Sequence, residues 1–124
     1  SKTEDFYCRV LGLIKVFDFT KNGKKVGCYL KVSEKSYLEI FETNSSQKTY
    51  EQSCPIAHFC LETDDIDEAK KRLNDCGISS SEKKLGCDNT YQIWFKDPNG
   101  INIEFHQYTD SSTQLTGENV EIDW

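Results

Sequence analysis

"SYLEIFE", Ser36 to Glu42, has the apolar alternation of a β-strand, yet it sets an acid, Glu39, between Tyr37 and Phe41 on one face. A second acid in an apolar strand, Glu104 in "INIEF", stands 65 residues later. The same ungapped shift lays Gly12 on Gly77, Leu13 on Ile78, Tyr29 on Trp94, Leu30 on Phe95, Lys31 on Lys96, Leu38 on Ile103 and Ile40 on Phe105. One such match is chance. A run that keeps helix stop, hairpin and acid together reads as a duplicated β-α-β-β-β module, an α+β chain rather than an all-β one.

Local signals place the elements around that repeat. "SKTE" at Ser1 to Glu4 has the form of a capping box, and the helix it opens runs through "DFYCRVL" to Gly12. Asn22-Gly23 is a hairpin signal between strands expected at Ile14 to Thr20 and Val26 to Val32. Residues Thr43 to Pro55 are polar and without period, hence a linker. "IAHFCLE", Ile56 to Glu62, reads as a strand, and "DDIDEAKKRLNDCG" as a helix with Ile66, Ala69, Leu73 and Cys76 on one side and Gly77 as its stop. Further strands are expected at Thr90 to Lys96 and Ile101 to Gln107, split by the turn "DPNG", with a weak one near Ser81 to Lys84. Module one is then 1–42, the linker 43–55, module two 56–108 and the tail 109–124, within a single domain 1–124. The strand Ile56 to Glu62 has no first-half counterpart; its mate would precede Ser1, so the sequence is expected to begin inside its first module. In the tail, Val120, Ile122 and Trp124 alternate with Glu121 and Asp123, so Asn119 to Trp124 either docks as a strand, from its own or a partner chain, or frays as termini do.

Composition limits the function classes. The 124 residues suit one modest core, and a net charge of -6 without any basic stripe argues against a nucleic-acid partner. Apolar runs fall far short of the ~20 residues that a membrane span requires. No secretory leader opens the chain, so the cytoplasm is the expected compartment. The six cysteines, at 8, 28, 54, 60, 76 and 87, form no C-x-x-C pair and are expected to be small buried hydrophobes kept reduced.

Together "FYCRVLGL", "YLEIF", "IAHFCLETDDID" and "DPNGINIEF" resemble the vicinal oxygen chelate superfamily, which includes glyoxalase I (lactoylglutathione lyase), extradiol dioxygenases and bleomycin resistance proteins. The resemblance covers Lys2 to Tyr108 and implies two modules whose strands curl into a cup around a divalent metal. Carried over by motif, the metal ligands fall on Glu39, His58 and Glu104, with Glu104 also the catalytic base. The family's first ligand, a His or Gln, would belong to the strand preceding Ser1. The resemblance further implies a homodimeric lyase or isomerase acting on a small vicinal-oxygen substrate through an enediolate. Imidazole with carboxylates independently suits Ni, Zn, Co, Mn or Fe, whereas an all-oxygen set would suggest Mg or Ca.

Each residue also has a plainer reading. Glu104 alternates with Asn102 and His106 and could lie on a hydrated strand face, Glu39 could be an edge-strand charge, and His58 could be a hydrogen-bonded structural histidine. His106 shares the face of Glu104, but no motif supports it as a ligand; Cys60 shares the face of His58 and could line the cup or pack in the interior, and Tyr91 and Trp94 could line the cup or the core. The two arginines, Arg9 and Arg72, both fall in expected helices, which leaves glutathione's carboxylates without placed basic groups. The alternative from another class is a metal-free protein of the antibiotic-resistance type that sequesters a small molecule in the same cup.

Overall fold

The computed structural model describes residues 1–42 and 56–122. It forms two compact units, Ser1–Glu51 and Gln52–Trp124, each α+β with its own sheet. The expected linker, 43–55, lies outside the described residues, as do Cys54, Asp123 and Trp124.

In the first unit, Ser1 caps helix α1 (Lys2–Asp5), its hydroxyl accepting from the Glu4 amide at 3.2 Å. The helix continues as a π-helical stretch, Phe6–Val10, closed by the Leu11 amide donating to the Phe6 carbonyl. Gly12, at φ +79°, ends it in a left-handed conformation that a side chain would strain. Phe6, Tyr7 and Val10 are buried, and Lys25 (2.7 Å) and Lys15 (3.3 Å) bind the Glu4 carboxylate, tying the helix to the sheet. Strands β1 (Ile14–Lys21), β2 (Lys24–Lys31) and β3 (Tyr37–Phe41) follow in order, all antiparallel. Asn22 and Gly23 take φ +52° and +73°, the positive pair that a two-residue hairpin needs to match strand twist.

In the second unit β4 (Phe59–Glu62), α2 (Ile66–Asp75), β5 (Lys84–Leu85), β6 (Tyr91–Lys96) and β7 (Asn102–Gln107) give a sheet ordered β4-β7-β6-β5. Strand β4 runs parallel to β7, the usual outcome when a helix makes the crossover. Asp65 caps α2, its carboxylate accepting from the amides of Asp67 (3.0 Å) and Glu68 (2.9 Å). Ile66 and Leu73 of α2 are buried, as are Ile93, Phe95, Ile103 and Phe105 of β6 and β7, against which the helix packs. Each such side chain contributes roughly 1.5–3 kcal/mol. Asp97 makes the turn between these strands, accepting from the amides of Asn99 (2.8 Å) and Ile101 (2.9 Å).

The repeat extends to strand register. Tyr29 pairs with Glu39 and Leu30 with Leu38; 65 residues on, Trp94 pairs with Glu104 and Phe95 with Ile103. Among the described residues β4 has no counterpart in the first sheet.

Four expectations need correction. Strand β4 begins at Phe59 rather than Ile56, so His58 stands one residue before it. The weak strand lies at Lys84–Leu85, because the Ser81 hydroxyl and amide bind the Trp94 main chain and take Ser81 out of the regular ladder. Cysteines are not uniformly buried: Cys28 is, whereas Cys60 and Cys87 are exposed. The tail forms no strand over 119–122; instead a short helix, α3 (Thr113–Thr116), ends at Gly117 with φ +74°. No helix among the described residues is long and apolar enough to cross a membrane.

Candidate functional site

Alternation along the second sheet separates its two faces. Ile93, Phe95, Ile103 and Phe105 turn to α2. Their neighbours Gln92 and Trp94 on β6, Glu104 and His106 on β7 and Cys60 on β4 turn to the other side, with His58 just ahead of Cys60. Cys60 is the direct cross-strand partner of Glu104, whose neighbour on the far side is Trp94.

Glu104 is the centre of this face. Its side chain is only 7 % exposed, and each oxygen meets a different imidazole: His58 Nε2 lies 3.3 Å from Oε2, and His106 Nε2 lies 3.0 Å from Oε1. A carboxylate taken out of water costs several kcal/mol unless it is paired, and these contacts supply the pairing. The His106 side chain is 12 % exposed, and its pKa is pushed up to about 10 by hydrogen bonding to Cys60 and to Glu104, against a burial that lowers it. The Cys60 sulfur, a Glu104 oxygen and a His106 nitrogen all lie within 4.8 Å of one another. The His58 ring stands edge-on to Trp94 at 4.6 Å, and the indole Nε1–H donates to Gln92 Oε1 at 2.7 Å, which holds the ring in place.

Glu104, both histidines, Gln92 and Trp94 border a cleft of about 730 Å³, and Val120 and Ile122 of the tail line it as well. The segment leading to them is anchored by polar contacts: Gln114 Nε2 donates to Asp88 Oδ2 at 2.5 Å, Thr90 Oγ1 to Ser112 Oγ at 3.0 Å, and Thr109 Oγ1 to the Asn89 carbonyl at 2.8 Å. Thus the tail's apolar alternation serves the cleft wall rather than a sheet edge.

Of the residues expected from sequence, His58 and Glu104 come together. Glu39 belongs to the first unit, where it is exposed on a face lined by aromatic rings. Phe17 stacks on Tyr29 at 4.8 Å, Tyr29 on Tyr37 at 5.0 Å and Phe19 on Phe41 at 4.7 Å around it. Tyr91 does not line the cleft; it lies on the helix side of β6 with Lys83 Nζ 4.6 Å above its ring. Sequence reasoning gave His106 no role beyond sharing a face and Cys60 at most a place in the cup lining or the packed interior, neither as a ligand. The available signal was the pairing of His58-x-Cys60 with Glu104-x-His106, two period-two doublets whose strands are neighbours.

The donor chemistry fits a divalent ion. Imidazole and carboxylate suit borderline metals, and a nearby thiol shifts the preference further toward them and away from Mg or Ca.

A family model, the Glyoxalase/Bleomycin resistance protein/Dioxygenase superfamily, matches residues 1–105. Solved structures with the same fold include a glyoxalase family protein from Enterococcus faecalis, 23% identical with TM-score 0.71 over 86% of each chain. A lactoylglutathione lyase from Agrobacterium tumefaciens is 25% identical with TM-score 0.61, over 86% of this chain and 83% of that one. An antibiotic binding protein from Streptomyces is 21% identical with TM-score 0.63, over 87% of this chain and 85% of that one. No curated protein matches.

Proposed function

The chain belongs to the Glyoxalase/Bleomycin resistance protein/Dioxygenase superfamily, and from that premise we propose that it is a metal-dependent lyase or isomerase acting on a small vicinal-oxygen substrate. The observation that carries this reading is the Glu104 carboxylate, buried at a cleft and held by a different imidazole at each oxygen. His58 and Glu104 would hold the ion. When bound, the ion supplies Lewis acidity to adjacent substrate oxygens, making the carbon beside them easier to deprotonate.

Glu104 takes the proton from that carbon and returns it to the neighbouring carbon, so the isomerisation needs no co-reactant. His106, bonded to Oε1, fixes the plane of the carboxylate throughout. Trp94 packs beside His58 and keeps water from that side of the site. The similarity to a lactoylglutathione lyase supports the reaction class, while the scarcity of arginine argues for a thiol adduct smaller than glutathione's.

His58→Ala tests this reading, since an exposed imidazole can be removed without unfolding the sheet. Chelator-sensitive turnover of a methylglyoxal–thiol hemithioacetal, supported by added Ni, should fall about 10–100-fold. Turnover and Ni dependence equal to those of the parent would overturn it. A second reading, a metal-free small-molecule binding protein, is favoured by one observation: the imidazoles of His58 and His106 by themselves satisfy both oxygens of Glu104. Protein that is inactive and free of metal by elemental analysis, yet binds an apolar ligand in the cleft, would select it.

A further inference from the structure

The Glu104 carboxylate has two ends; the function proposed above places its ion at the Oε2 end, toward His58, and uses the Oε1 end only through the bond to His106. The Oε1 end faces a different group of donors. We propose that Cys60, His106 and Glu104 Oε1 form a thiolate-containing site for a borderline divalent cation of the Zn or Co class, separate from the position held by His58. The proposal rests on the preceding one only in sharing Glu104.

Sheet geometry builds this site. Glu104 and His106 are two apart on β7 and so project from the same face, while Cys60 is the cross-strand partner of Glu104 on β4. All three are carried by main-chain ladders rather than loops, which holds donors near productive geometry before the ion arrives. Their ligand atoms lie within 4.8 Å of one another. Bond lengths of about 2.0–2.3 Å to nitrogen, oxygen and sulfur place donors around a tetrahedral ion some 3.5 Å apart, so small side-chain rotations close the site. Its donors are one sulfur, one nitrogen and one oxygen, a set that excludes Mg and Ca by softness.

Access and charge also agree. Cys60 is exposed and offers a path in, whereas Glu104 and His106 are 7 % and 12 % exposed and form the floor. The thiol proton and the proton on the ligating His106 nitrogen both leave to solvent as the bonds to the metal form, so no oxidant or reductant is involved. Three protein donors leave a fourth position toward the cleft, the arrangement of a site that can accept an exogenous ligand.

The test uses the full chain, stripped with a chelator and titrated with Co in a non-thiol reductant. The parent should develop a near-ultraviolet thiolate-to-cobalt charge-transfer band. Cys60→Ser, a near-isosteric change at an exposed position, should abolish it without altering thermal unfolding of the apo-protein. His106→Gln should weaken the titration about 10–100-fold, and His58→Ala should leave the band in place. A parent without the band, a band that survives Cys60→Ser, or a band lost in His58→Ala would each overturn the assignment. Because the band reports sulfur ligation and hemithioacetal turnover reports the His58 position, failure of either proposal can be told from failure of the other.

Discussion

Glu39 and Glu104 occupy the same position in a repeated module, and the structure treats them in opposite ways. Both sit in the last strand of a module, opposite an aromatic residue on the preceding strand, Tyr29 in one case and Trp94 in the other. Glu39 is exposed within a field of stacked rings. Glu104 is buried and bracketed by His58 and His106. The difference lies in the strand next door. In the second sheet β4 pairs with β7 and brings Cys60 alongside Glu104; among the described residues β3 has no such neighbour. An acid's chemistry is therefore set less by its own strand than by what is hydrogen-bonded beside it.

The sharpest way to break this comparison is to remove each acid in turn. Glu104→Ala should abolish Co and Ni binding, a loss of about 100-fold or more in affinity, because both proposed donor sets share that carboxylate. Glu39→Ala, at an exposed position of the first unit, should leave both Ni affinity and the cobalt charge-transfer band unchanged. Titration calorimetry and absorbance would decide; equal losses from the two substitutions would mean that the modules contribute alike and that the contrast in burial is irrelevant to binding.

A middle-sized effect should come from the aromatic face. A Cβ at Gly27 would fall close against the Ile40 carbonyl oxygen and 2.8 Å from the Phe41 ring, so only glycine lets that ring lie flat over β2. Gly27→Ala should destabilise the first unit by about 1–3 kcal/mol, read as a lower denaturation midpoint. A substitution without effect would show that the stack on Phe41 is loose and that the face is a poorer partner for Glu39 than its ring distances imply.

The smallest expected effect concerns Glu4, an acid paired with two lysines within the first module. Glu4 is held below the usual carboxylate range by hydrogen bonding to Lys25, with Lys15 adding to it and partial burial opposing it. A depressed carboxylate stabilises the fold above its unfolded pKa, and that stability is lost as pH falls through the lower folded value. The parent's melting temperature should therefore drop slightly more than that of Glu4→Gln on going from about pH 6 to about pH 3. The drop stays small because the lysines are solvent-screened. Parallel curves for the two proteins would remove Glu4 from any role in acid sensitivity.

Much of this architecture was legible beforehand. The Ser1 cap, the Asn22-Gly23 turn, the glycine stop after α2 and both acid-bearing strands rest on interactions within a few residues, which composition and spacing report directly. The superfamily was readable for the same reason, since its motifs are local. Less legible were the start of β4, which depends on where β7 stops offering partners, and the tail, whose alternation looked like a strand but lines a cleft.

For the candidate site the division is equally physical. By itself the sequence determined which side chains share a face, because period-two projection is a property of an extended backbone: His58 goes with Cys60, and Glu104 with His106. Only the tertiary structure decided that these two pairs meet. Their strands are more than forty residues apart in the chain, and the parallel register that sets Cys60 against Glu104 arises from a hydrogen-bond ladder reached through a helical crossover. No local preference encodes that register; it is chosen by burying Ile103 and Phe105 against α2, which leaves the histidines, the cysteine and the acid together on the opposite face.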